Sequence, residues 1–173
     1  IIMSMISPPF IGAYSWILLF GRNGAVTTFL KTIGIQVPSI YGFGGIVIVF
    51  AVKFFPMIYL YVSGALGSID ASLEEASENL GMPRIKRLMT VTFPLILPTI
   101  SAAMLMVFMA TLADFGTPML IGEGYKVLPV LIYQQYLSET GGDATMASTL
   151  SVVIILCALI VLLVQKFVIS RKN

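Results

Sequence analysis

Apolar and polar positions fall in long blocks along this chain rather than in short alternation. Residues 1–20, 41–62, 94–113 and 146–169 are almost free of charge, and each is long enough to cross about 30 Å of hydrocarbon at 1.5 Å rise per residue. Four membrane-spanning helices are the expectation, in an all-α polytopic membrane helix bundle forming one domain. The first block carries Ser4, Ser7 and the pair Pro8-Pro9, which predict a broken or kinked helix ended by Gly21-Arg22-Asn23-Gly24. Residues 25–40 mix Lys31, Gly34 and Pro38 with apolar positions and predict a short amphipathic element at the interface. The second block has Gly42, Gly44 and Gly45 where helices could approach closely, Tyr41, Tyr59 and Tyr61 as interfacial anchors, and Pro56 as a kink. The third stops at Asp114-Phe115-Gly116-Thr117-Pro118. Beyond it, Leu128, Leu131, Ile132, Tyr136 and Leu137 form an amphipathic patch, and Asp143 is placed to cap the last span.

The one long polar interruption, residues 63–93, reads as a helix, a sharp turn and a basic helix. Ser68 is the expected cap of a helix whose first turn carries Asp70, since a hydroxyl accepts from free N–H groups and a carboxylate complements the positive end. Ile69, Leu73, Ala76 and Leu80 then recur at helical spacing on one stripe, with Asp70, Glu74, Glu78 and Asn79 on other faces. Gly81 stands where a left-handed residue ends a helix, and Pro83 is suited to the first position of the next, which carries Arg84, Lys86 and Arg87.

Composition agrees with a membrane protein: 58% of the 173 residues are hydrophobic and 10% charged. A net charge of +2 is too small to argue for nucleic acid, and the basic residues are better read as topology. Arg84, Lys86 and Arg87, and then Lys166, Arg171 and Lys172, mark inner ends, while residues 114–144 hold only Lys126 and lie outside. The absence of histidine and the single Cys157 exclude histidine-based catalysis, soft-metal sites and an internal disulfide; no cofactor is implied. Ile1 stands inside an apolar run with no initiating Met or basic leader, so the sequence reads as a chain missing its amino-terminal helices.

Glu75-Ala76-Ser77, three residues, Gly81, nine residues, then Val91-Thr92-Phe93-Pro94 resembles the EAA motif of ABC importer permeases. The departures are Ser77 for the second Ala, Val91 for Ile and Phe93 for Leu. The runs Leu19-Phe20-Gly21-Arg22-Asn23-Gly24, Tyr41-Gly42-Phe43-Gly44-Gly45-Ile46 and Ala113-Asp114-Phe115-Gly116-Thr117-Pro118 are together similar to the iron(III)-type branch of that family. The resemblance implies a type I permease subunit of the cytoplasmic (inner) membrane, with no ATPase of its own. Its partners would be a cytoplasmic ATP-binding subunit, an extracytoplasmic solute-binding protein, a second permease subunit or domain, and membrane lipid. It also implies that Glu74, Glu75, Ala76, Ser77, Gly81 and Arg84 couple to the ATPase. The cargo implied is iron(III), with phosphonate, polyamine or another small ion as alternatives set by the binding protein.

Two residues are out of place in the apolar blocks. Lys53 lies well inside the second, where a lysine costs about 2.5–3.5 kcal/mol on insertion scales and either snorkels or faces the bundle interior. Asp114 stands at the proposed outer end of the third and is either a contact for a passing cation or a turn former bonding to residues 116–118. Both are candidate translocation-pathway residues. Ordinary packing is the reading for Tyr133, Tyr136 and the methionines. An intramembrane enzyme or structural subunit is the alternative class, but an enzyme would need polar residues clustered at one depth across several spans, and none pairs here with a base.

Overall fold

The computed structural model of the chain describes residues 9–35, 38–137 and 142–170. The expectations placed on Ser4, Ser7, Pro8, Arg171 and Lys172 lie outside them. The described residues are helical, with no strand among them: α1 (Pro9–Phe20), α2 (Ala25–Thr32), α3 (Phe43–Gly67), α4 (Ala71–Asn79), α5 (Arg84–Ala113), α6 (Gly116–Ile121), α7 (Leu128–Leu137) and α8 (Ala144–Ser170). Three of these are long and apolar enough to cross a membrane: α3, α5 and Ala144–Phe167 of α8. Their outward faces are rich in Leu, Ile, Val and Phe, as a lipid-facing surface requires.

α3 and α5 form the antiparallel pair that frames the molecule. Lys53 meets Asp114 and, farther along α3, the Tyr61 hydroxyl reaches the Met106 sulfur at 3.0 Å. Both contacts fall on one register. α5 starts at Arg84, well before the apolar block, so loop and span are one rod. Inside it, Leu88–Thr92 is a π segment in which the Phe93 N–H reaches back to Leu88 O. The cause is local, since Pro94 has no N–H to give and its ring would strike the Thr90 carbonyl in a tight α turn. Widening the helix by one residue relieves that contact.

The best-buried part of the fold lies around α6, whose Gly116, Thr117, Pro118 and Ile121 are all enclosed. Ile121 joins Ala13, Ile40, Ile46 and Val49 in the core, with Trp16, Phe20, Tyr41 and Phe50 packed against it. A methyl group on Gly45 would come within 1.4 Å of Ile40 O, so only glycine lets the start of α3 pass that carbonyl. Gly42 N–H donates to Ile121 O at 2.8 Å. The three runs at 19–24, 41–46 and 113–118, far apart in sequence, thus meet on α6. α7 packs mainly on α8 and stacks Tyr133 on Phe115 at 5.1 Å, the packing role expected of Tyr133; Tyr136 is 74% exposed.

Asp143 caps α8 by accepting from Thr145 N at 2.8 Å and Met146 N at 3.2 Å. The cap of α4 differs from expectation. Ser68 instead ends α3, its hydroxyl donating to Ala65 O at 2.8 Å, and Asp70 is the cap, accepting from Ser72 N at 2.9 Å. The reason is that α3 runs on to Gly67, past the apolar block, and leaves Ser68 no room to begin a new helix. Pro83 likewise sits at the cap rather than the first turn, its carbonyl accepting from Arg87 N at 3.0 Å.

Candidate functional site

Two places carry the polar residues singled out above. The first is the loop helix α4 with the turn that follows it. Gly81 adopts φ +73°, Gly81 N–H donates to Glu78 O at 2.8 Å and Met82 N–H donates to Ser77 O at 3.2 Å, which is the paired closure of a left-handed helix end. Ser77 is buried and its hydroxyl donates to Glu74 O at 2.7 Å, so a serine in place of the family's alanine leaves no unpaired polar group. Across the turn, Arg87 donates to Glu78 at 3.0 Å, tying α4 to the start of α5. The Arg87 side chain is largely covered but that of Glu78 is 72% exposed, so the pair orients the turn more than it stabilises it. Nothing in the sequence pointed to it, because nine residues across a sharp turn follow no helical period.

The remaining residues of the loop face outward. Glu74, Glu75, Ala76 and Arg84 are exposed, and Glu75 makes no ion pair among the described residues. Of the apolar stripe, Leu73 is half exposed, Ile69 is partly covered and Leu80 lies open at 78%; beyond the turn, Ile85 is 77% exposed. An apolar stripe ringed by carboxylates and left uncovered by its own chain is suited to a partner surface. Asp70, at the helix start, is held below the usual carboxylate range by the hydrogen bonds from the Ser72 backbone and then its side chain.

The second place is inside the apolar region. Lys53 Nζ lies 2.5 Å from Asp114 Oδ2, joining the two out-of-place residues into one pair. Asp114 also accepts from Thr117 N at 3.0 Å on Oδ1 and from Thr117 Oγ1 at 3.1 Å on Oδ2, so it forms the turn over residues 114–117 as well. Its side chain is 4% exposed and that of Lys53 24%, so Lys53 faces the bundle interior rather than snorkelling. Lys53 lies about 15 Å along α3 from Phe43, near half the hydrocarbon thickness. Asp114 follows directly on α5, and α6 runs on from it alongside α3 toward Gly42, whose N–H donates to Ile121 O. Beside the pair, Phe50, Phe108, Thr111, Leu112, Pro118 and Lys126 line a cavity of about 420 Å³.

A third ion pair, Arg22 with Glu123, joins the loop after α1 to the loop after α6, with Arg22 also over the Tyr41 ring. Glu123 is held at φ +43°, unusual for a residue with a side chain. Neither partner stood out in the sequence as a member of a pair, since 101 residues separate them.

Comparison with known proteins places the chain among transport permeases. The chain is 34% identical over 174 residues to the ferric transport system permease protein FbpB of Actinobacillus pleuropneumoniae, covering 99% of the chain and 25% of that protein. It is 28% identical over 178 residues to the molybdenum transport system permease protein ModB of Escherichia coli K12, covering 99% of the chain and 76% of ModB. It is 30% identical to the inner membrane ABC transporter permease protein YdcU of the same organism, covering 89% of the chain and 53% of YdcU. The chain thus spans about a quarter of the length of the ferric permease it matches. The family model for binding-protein-dependent transport system inner membrane components matches residues 1–173, and the chain belongs to that family.

Proposed function

We infer that this chain is the permease region of an ATP-driven importer that moves a small solute, ferric iron first among the candidates, across the inner membrane by alternating access. A separate cytoplasmic subunit hydrolyses ATP, a solute-binding protein delivers the cargo from outside, and a second permease subunit or domain completes the pathway. The observation that carries this reading is α4: a short capped helix with an uncovered stripe of Leu73, Ala76 and Leu80, unpaired Glu75, and an angle set by Gly81 and the Glu78–Arg87 pair. Such a helix can transmit a push from a docked ATPase directly into α5, because the turn joining them is hydrogen-bonded on both sides. Glu74, Ser77 and Arg84 belong to the same coupling surface. The cavity lined by Phe50, Thr111, Leu112 and Pro118 belongs to the pathway, and Lys53 and Asp114, one helical turn from Phe50 and Thr111, support its wall from behind.

The choice of iron rests on the 34% identity to a ferric permease over the whole chain. Molybdate is the second reading, favoured by ModB, most of whose length this chain covers. The deciding experiment reconstitutes the full-length permease with its ATPase and binding protein and measures uptake of radiolabelled ferric iron and molybdate in parallel. ATP-dependent uptake of iron alone supports the first reading and uptake of molybdate alone the second. Uptake of neither refutes both.

A further inference from the structure

Most of the accepting capacity of the Asp114 carboxylate is already used. Three donors converge on it, Lys53 Nζ and Thr117 Oγ1 on one oxygen and Thr117 N on the other, and its side chain is 4% exposed. A carboxylate offers about four lone-pair positions, so little of its accepting capacity remains for a passing solute. The pair also stands at the junction between α5 and α6. α5 stops at Ala113, Thr117 belongs to α6, and α6 is the element on which α1 and the start of α3 pack. Without Lys53 the carboxylate would be left as an uncompensated charge in the apolar region, which is far costlier than the pair itself.

We propose that Lys53 and Asp114 form a counter-ion lock that holds the turn between α5 and α6 and keeps α6 docked against α1 and α3, and that both are positioning residues rather than cargo ligands. The lock is asymmetric. Lys53 is 24% exposed on a flexible stem, so its ammonium can reorient when its partner is removed, whereas Asp114 is enclosed and fixed to Thr117. Loss of Lys53 is therefore worse than loss of Asp114, and loss of both is milder than loss of Lys53 alone. A ligand role would give the opposite pattern, with the double variant at least as impaired as either single one.

The uptake arm of the test rests on the transport reading above; a labelling arm does not. In a Cys157→Ser background, Ala13→Cys places a thiol in the core against α6, where Ala13 is 2% exposed. Maleimide labelling in native membranes then reports docking of α6 in the full-length protein, with abundance in the membrane measured alongside. Lys53→Met should make the thiol reactive, Asp114→Asn less so, and Lys53→Met with Asp114→Asn should restore protection. In the assembled importer the Lys53→Met variant should lose at least about tenfold in maximal uptake of radiolabelled iron or molybdate. The double variant should return to within about threefold of the parent with KM unchanged. A thiol that stays protected in Lys53→Met, a double variant no better than the worse single one, or a double variant with raised KM would each overturn the proposal. If the parent importer moves neither solute, the cargo assignment fails while the labelling result still decides the lock.

Discussion

Replacing Gly81 isolates the geometry of the loop helix from its chemistry. Nothing lies within 4 Å of the position a methyl group would take there, so the penalty is conformational and not steric. At φ +73° an alanine costs about 1–2 kcal/mol, a β-branched valine more, and an asparagine less because it tolerates the left-handed region. If the residue leaves that region the two closing bonds, Gly81 N to Glu78 O and Met82 N to Ser77 O, are lost as well, each worth about 1 kcal/mol net. At 1.4 kcal/mol per tenfold, the native turn falls at least about tenfold in population for Gly81→Val. The helix buries only Ser77 among its own residues, so membrane abundance should stay at the parental level. The assay is co-purification of the ATPase together with solute uptake across the series Asn, Ala and Val. Both should fall in that order, with Asn near the parent and Val lowest. Valine behaving like glycine, or all three substitutions failing equally, would refute the reasoning, the first because the angle would not matter and the second because conformation would not be the cause.

The other expectations concern charge and sidedness. Glu75→Lys should insert normally yet lose ATPase association by tens to thousands of times, on the scale of about 2–5 kcal/mol for one partner of a desolvated interfacial pair; unchanged co-purification would remove Glu75 from the interface. Because Asp70 is held below the usual carboxylate range when folded, its cap is fully present above that range and is lost only as pH falls through its lowered value. Amide exchange at residues 71–74 should therefore stay slow from neutral pH down through the ordinary carboxylate range in the parent, after allowance for the intrinsic pH dependence, and be fast throughout in Asp70→Ala. In a Cys157→Ser background, cysteine at Ser68 should react only with membrane-permeant reagents and cysteine at Glu123 with impermeant ones; labelling of both from one side would refute the topology.

Much of this fold is written in local chemistry that a sequence displays. Uninterrupted apolar runs mark α3, α5 and α8, Asp143 announces the cap of α8, and Gly81 announces its own left-handed turn, because each depends on neighbours within a few residues. The cap at Asp70 in place of Ser68 was hidden by the reach of α3, a matter of where one helix stops rather than which residue caps best. Lys53 and Asp114 each stood out as anomalies, but their pairing depends on the antiparallel register of α3 and α5, which no periodicity encodes. The same holds for Arg22 with Glu123 and for Glu78 with Arg87. The helix α6 was hidden because its six residues include Gly116 and Pro118, which read as turn residues in a sequence.

The π segment at Leu88–Thr92 acts as a phase adjuster between two lengths of one rod. An α-helix turns about 100° per residue, so the single residue it inserts rotates Arg84–Arg87 by roughly that angle relative to the membrane portion of α5. Deleting one residue there would keep a continuous helix while carrying Arg87, and α4 tied to it through Glu78, around the rod axis relative to the membrane portion. The direction in which the loop helix faces its partner is therefore set by a count of residues well outside the loop helix itself.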